Sequence, residues 1–158
     1  MEIFSAQNVD LFIKLFLAMF LGVLIGTERV LAHKTAGMRT YALVSMGSAF
    51  FIIISQLMTE KYLGAVNLDP LRIASQIIVG IGFLGAGSIM LKDYHPIGLT
   101  TASGIWVAAG IGMAVGFGLY VPAVIVTVLT IFIFAILALV EERIRIKTDK
   151  EGEQMRKL

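Results

Sequence analysis

Apolar residues gather in five long runs separated by short polar stretches: Leu11 to Thr27, Thr40 to Met58, Ile73 to Leu91, Thr100 to Phe117 and Tyr120 to Val140. Each has the length, about 17 to 25 residues, that carries a helix across about 30 Å of hydrocarbon. The pattern predicts an all-α polytopic membrane protein, a five-transmembrane-helix bundle within residues 1–140, followed by a short cytoplasmic tail over 141–158. Pro70, Pro96 and Pro122 each fall just before or in the first turn of a proposed helix, where a missing N–H is harmless. The last two runs are the hardest to separate, because Gly116 to Pro122 must turn the chain without a charge; a re-entrant fourth segment is the alternative.

Composition strengthens this reading. The chain is 58% hydrophobic and 15% charged, against about 45–50% and about 25% in soluble chains. Mean hydropathy is +0.88. Disorder, collagen and nucleic-acid-binding arms are excluded, and with no cysteine there is no disulfide framework, thiolate metal site or cysteine nucleophile.

Charge then orients the bundle. Arg29, Lys34 and Arg39 follow run one, Lys92 follows run three, and Arg143, Arg145, Lys147, Lys150, Arg156 and Lys157 lie in the tail. The opposite side holds only Lys61 and Arg72, so the positive-inside rule predicts the N-terminus outside and the C-terminus in the cytoplasm. Lys14, one turn into run one, is placed to snorkel to the outer interface. No basic region precedes the first run and no small-residue cleavage site follows it, so that run is expected to be a retained span rather than a signal peptide. The tail is expected to extend the fifth helix into solvent, with Glu141 and Arg145 at i,i+4.

Run three contains Gly80-Ile81-Gly82-Phe83-Leu84-Gly85, which matches the dinucleotide fingerprint by letters. These glycines lie inside an apolar run, with no strand-to-helix turn to set a pyrophosphate on a helix N-terminus, so nucleotide binding is rejected. Glycine in a membrane helix instead lets backbones approach. Gly80 with Gly87 forms one stripe and Gly82 with Ala86 a small-xxx-small pair, so helix three is expected to be the crowded centre. Gly22 with Gly26, and Gly112 with Gly116, suit either packing within the bundle or a homodimer face.

Polar side chains at membrane depth need a partner or a purpose. Glu28 and Arg29 end run one while Arg39 and Thr40 begin run two; a Glu28–Arg39 pair is expected to tie these helices together. Arg72, Gln76, Gly80, Phe83 and Gly87 share one face of helix three. Gln76 is expected to hydrogen-bond across to another helix or to line a small polar cavity. Thr100, Thr101 and Ser103 open run four with hydroxyls suited to capping or to bonding back to carbonyls one turn earlier, with bulky Trp106 among small neighbours.

Enzyme chemistry finds no footing. Ser45, Ser48, Ser75, Ser88 and Ser103 lack a histidine at triad-like placement, and His33 and His95 fall in loops, with only Asp93 beside His95 as a further ligand. No catalytic residue, metal site or cofactor is assigned. A magnesium path needs several oxygens, usually with carboxylates, near mid-membrane; the runs place no Asp or Glu there, and Glu28 stands at one end.

The ordered motifs Gly22-Val-Leu-Ile-Gly26-Thr-Glu28-Arg29, Ala36-Gly37-Met38-Arg39-Thr40, Arg72-Ile-Ala-Ser-Gln76 running into Gly80-Ile-Gly82-Phe-Leu-Gly85-Ala-Gly87, and Gly98-Leu-Thr-Thr-Ala102 with Trp106 closely resemble the MgtC/SapB family of bacterial inner-membrane proteins. The resemblance covers about residues 10 to 140 and implies the same five-span fold. It also implies adaptation to low magnesium or acid stress, and bacterial survival in host cells, through effects on other membrane proteins. Longer members continue into a cytoplasmic domain; the stop at Leu158 resembles the short members. Thr100 stands where an Asn occurs in the family, and Val107 where a Cys follows the tryptophan.

Together these readings predict a non-enzymatic, homo-oligomeric protein of the bacterial inner membrane that modulates another membrane protein and binds no nucleic acid. A small channel or transporter for magnesium, protons or another cation is the alternative, and a bland helix scaffold is the third possibility.

Overall fold

The computed structural model describes residues 6–62, 69–92 and 94–144. Five helices stand among them: α1 (Ala6–Leu31), α2 (Met38–Lys61), α3 (Pro70–Gly87), α4 (Leu99–Gly116) and α5 (Tyr120–Ile144). The expected tail pair of Glu141 and Arg145 reaches beyond the described residues. The fold is all-α, as the runs predict. By length and composition α1, α2, α4 and α5 are long and apolar enough to cross a membrane, and α3 is a shorter apolar helix.

The third run differs most from expectation. Its helix starts at Pro70 and stops at Gly87 instead of continuing to Leu91. The Asp69 carboxylate caps the first turn by accepting the Leu71 N–H at 2.9 Å, as short polar side chains do at an N-cap. At the other end the Ser88 hydroxyl donates to the Gly85 carbonyl at 2.7 Å, which also accepts the Ser88 backbone N–H at 3.0 Å, so both groups of one residue close the last turn. Met90–Lys92 (β1) then pairs antiparallel with His95–Ile97 (β2), Lys92 opposite His95. Gly98, at φ 94°, lets the chain turn back against the Ser88 carbonyl, where a Cβ would collide.

Two further turns among the described residues close by local backbone chemistry. Gly118, at φ 78°, ends α4 in a Schellman motif, with its N–H bonded to Val115 and the Leu119 N–H to Ala114. The uncharged α4–α5 turn is therefore specified by one glycine. The same arrangement ends α1, where His33 takes the left-handed position at φ 53° and the Lys34 N–H bonds to the Arg29 carbonyl. His33 acts in the fold through its backbone.

Close helix contacts concentrate on α1, α2 and α4. A Cβ on Gly22 would lie 2.5 Å from the Tyr41 carbonyl oxygen, and one on Gly26 would lie 2.5 Å from the Met38 Cα, so this pair forms the α1–α2 seam. Gly112 lies against the Ser45 backbone, and Gly116 against Ala49 and Ile52. Both GxxxG pairs pack within the bundle. Helix α4 is the crowded centre, burying Gly104, Ile105, Ala108, Ala109, Ile111, Gly112, Val115 and Gly116.

Helix α3 is not, contrary to the sequence expectation. Its buried residues are Ile81 and Gly85, the latter against Ala102. Outside their own helix, Gly80, Gly82 and Gly87 have nothing among the described residues within 4 Å of where a Cβ would stand. Small residues permit close approach without dictating which neighbour approaches.

Candidate functional site

At the end of the bundle where α1 finishes and α2 and α4 begin, a charged pair is enclosed by apolar and aromatic groups. Arg29 is only 2% exposed. Its Nε–H donates to the Glu28 carboxylate, and its guanidinium lies 3.6 Å from the centroid of the Phe134 ring. Neighbours in helix sequence do not normally face one another; here burial forces the two side chains together. An adjacent carboxylate and an aromatic face are the two environments that best compensate a guanidinium removed from water.

Phe134 reaches Arg29 from an unusual stretch of backbone. Residues Ile133–Leu137 of α5 form a π-turn, a wide turn that inside α-helices is frequent at functional sites. Upstream, the inward residues Ala123, Thr127, Thr130 and Phe134 follow helical spacing. The Thr127 and Thr130 hydroxyls donate to carbonyls four residues back, at 2.8 and 2.7 Å, so both are satisfied without crossing to another helix.

Tyr41 and Gly104 complete the enclosure. Tyr41 is fully buried, and its hydroxyl donates to the Thr101 carbonyl at 3.4 Å, joining α2 to α4. Gly104 has no side chain because the Tyr41 hydroxyl and the Phe134 ring occupy that space. Residues of four helices thus meet around one ion pair. Among the described residues neither Arg29 Nη1 nor the Ser45 hydroxyl farther along α2, both buried, has a hydrogen-bond partner.

The sequence-predicted residues divide sharply. Glu28, Arg29 and Thr101 belong to this cluster. Arg39 does not: it is exposed, and Glu28 takes Arg29 instead, which corrects the expected Glu28–Arg39 pair. Adjacent residues on one helix stay close to one another, whereas Arg39 is exposed in the first turn of α2. Thr100 and Trp106 are also exposed. Ser103 bonds back to the Leu99 carbonyl at 2.9 Å, as expected of a hydroxyl in that turn. Tyr41 and Phe134 lie inside apolar runs and carry no charge that would single them out in the sequence.

A second feature lies between α2 and α3. A groove of about 520 Å³ is lined by Val44, Gly47, Ser48, Ile73, Gln76, Gly80 and other apolar residues. A neighbouring recess of about 370 Å³ shares Val44 and Leu84 with it and adds Thr35, Thr40, Gly87 and Ser88. Arg72 and Gln76 are exposed on α3, and among the described residues nothing hydrogen-bonds the Gln76 amide. The expectation that Gln76 bonds to another helix of the same chain is therefore not met, because α2 stands a groove's width away. Among the described residues no three His, Asp or Glu side chains stand close enough to hold a metal ion.

Comparison with known proteins adds identity to this geometry. The chain is 40% identical over 132 residues to YhiD of Escherichia coli K12, covering 82% of this chain and 61% of that protein. It is 40% identical over 152 residues to an uncharacterized protein of Haemophilus influenzae, covering 94% of this chain and 64% of the relative. Protein MgtC of Brucella abortus is 40% identical over 120 residues, covering 76% of this chain and 48% of that protein. This chain thus spans less than two thirds of the length of these relatives. No solved structure matches. Residues 15–143, including all four helices that enclose the Arg29 pair, match the MgtC family, so this chain is a multi-pass membrane protein belonging to that family.

Proposed function

We propose that this protein is a non-enzymatic regulator in the bacterial inner membrane, acting on another membrane protein under low magnesium or acid stress. The N-terminus faces outward, and the Arg29 end of the bundle faces the cytoplasm, where Lys34, Arg39 and Lys92 cluster. The reading rests on one observation: the most deeply buried charge, Arg29, is neutralised by Glu28 and covered by Phe134. That arrangement fixes how α1, α2, α4 and α5 meet. A carboxylate already engaged by a guanidinium suits a structural latch better than a stopping place for a cation. Family membership supports a role in magnesium homeostasis.

Cation transport is the second reading, favoured by the name of YhiD, which provisionally assigns that relative to magnesium transport. The groove beside Gln76 would then be the start of a path.

Liposomes separate the two readings. Purified protein is expected to carry no magnesium or proton flux above that of empty vesicles. In cells lacking the gene, growth at low magnesium or low pH is expected to be restored by the intact chain and by Arg39→Ala, but not by Glu28→Gln. Reproducible flux that Glu28→Gln abolishes would establish transport and overturn the regulator reading.

A further inference from the structure

The groove between α2 and α3 and the recess beside it form one channel along the side of the bundle, since Val44 and Leu84 line both. Its two ends differ. The groove is walled by apolar groups, Leu43, Phe51, Ile77 and Ile81 among them. The recess, where α1 has finished and α2 begins, adds the hydroxyls of Thr35, Thr40 and Ser88. Ser88 already donates to Gly85, while among the described residues the Thr35 and Thr40 hydroxyls have no hydrogen-bond partner. Lys34 precedes Thr35, Arg39 precedes Thr40 and Lys92 follows Ser88 in the hairpin, all three exposed. Among the described residues the ion pairs are Lys14 with Asp10 and Arg29 with Glu28, so no carboxylate neutralises this rim.

An occupant has to suit both ends. A soluble anion would answer the cations and hydroxyls but leave the apolar groove unfilled. A neutral lipid would fill the groove but bring no negative charge to the rim. A second copy in the same orientation would bring the same cations to the same level, which like-charge repulsion opposes. Length is also informative. The lining from Ile73 to Gly87 runs about 21 Å along α3, against roughly 15 Å of hydrocarbon in one leaflet. An acyl chain of that leaflet therefore fits along the channel with its phosphate at the recess.

We propose that the channel holds one anionic phospholipid, with an acyl chain along the α2–α3 groove and the phosphate at the recess, accepting from the Thr35 and Thr40 hydroxyls and paired with Lys34 and Lys92. A phosphodiester supplies charge and acceptor oxygens where the rim has cations and free donors and lacks both. Bound there, the lipid fills the gap between α3 and α2, which makes the seating of α3 sensitive to the anionic lipid content of the membrane. The site does not depend on the regulator reading, and lipid binding is measured apart from flux and growth.

The chain has a single tryptophan, Trp106, which lines neither groove nor recess, whereas Phe83 lines the recess. Phe83→Trp in a Trp106→Phe background therefore moves the fluorophore to the site. The full-length protein is reconstituted in phosphatidylcholine vesicles, with brominated phosphatidylglycerol or brominated phosphatidylcholine as quencher. Quenching at residue 83 is expected to favour phosphatidylglycerol roughly 10- to 30-fold, the attraction of two lysines for anionic lipid. Native Trp106 is expected to show no preference. Lys34→Gln combined with Lys92→Gln is expected to remove most of the preference, and Thr40→Val to lower it roughly 3- to 10-fold. Gly47→Leu enters open space in the groove and is expected to weaken quenching by phosphatidylglycerol with helicity unchanged. Equal preference at residues 83 and 106 would reduce the effect to diffuse surface charge and overturn the proposal. So would a residue 83 that neither lipid quenches, as a second copy seated in the groove would leave it, or a preference that survives the double lysine change or the filled groove.

Discussion

Helices α4 and α3 have similar small-residue patterns and opposite surroundings. Gly104, Gly112 and Gly116 on α4 are pressed against Tyr41, Phe134 and the α2 backbone, while a Cβ at Gly80, Gly82 or Gly87 on α3 would touch no other element among the described residues. Glycine therefore marks where a backbone is able to approach, and the neighbouring side chains decide whether it does. On α4 those neighbours are the apolar Ile105, Ala108, Ile111 and Val115, all buried. On α3 the glycine stripe runs through Arg72 and Gln76, which a bundle interior would have to pair.

The contrast is tested most severely by the two arginines. Arg29→Met strands Glu28 in a nearly buried position and is expected to lose about 3–5 kcal/mol, the usual consequence of breaking a buried pair from one side. Arg72→Met, on the exposed face, is expected to stay within about 0.5 kcal/mol. Reversible unfolding in mixed detergent micelles measures both, and equal losses would erase the distinction between a packed and an open side.

Gly112→Ala follows. Its methyl group would enter the Ser45 backbone, which has no rotamer with which to yield, so a loss of about 3 kcal/mol is expected in the same unfolding assay. Phe134→Leu keeps an apolar side chain in the π-turn but removes the ring beneath Arg29. A loss of about 2 kcal/mol is expected, the value of a desolvated cation–π contact. A chemical-shift change of the Arg29 Nε–H in micelles would localise that effect; an unchanged shift would show that the ring does not hold the guanidinium.

Hydropathy made the five helices legible because lipid imposes a minimum length on any apolar span. It also identified Glu28 and Arg29, since charges next to a span are conspicuous. The partner of Glu28 was not legible: Arg29 and Arg39 both lay within plausible reach, and only the direction each helix face takes separates them. Phe134 was hidden inside Ile133-Phe134-Ala135-Ile136, a continuous apolar stretch in which a π-turn leaves no compositional trace. The end of α3 was misjudged for a related reason. Ile89, Met90 and Leu91 continue the hydropathy of the helix, while the turn depends on the Ser88 hydroxyl and on Gly98, ten residues later.

Gly82→Ala is the mildest change and the one whose sign carries the comparison. Outside its own helix, no heavy atom among the described residues lies within 4 Å of the new methyl group. With no contact to break, only the backbone contributes: alanine restricts the unfolded chain and favours the helix, so stability is expected to rise by about 0.5–1 kcal/mol. Gly112→Ala must move the other way by a larger amount, although the two substitutions are chemically identical. Measuring both in one detergent isolates packing from helix propensity. A destabilised Gly82→Ala would mean that α3 sits against the bundle more tightly than its exposed face implies, and the distinction between the two helices would fail.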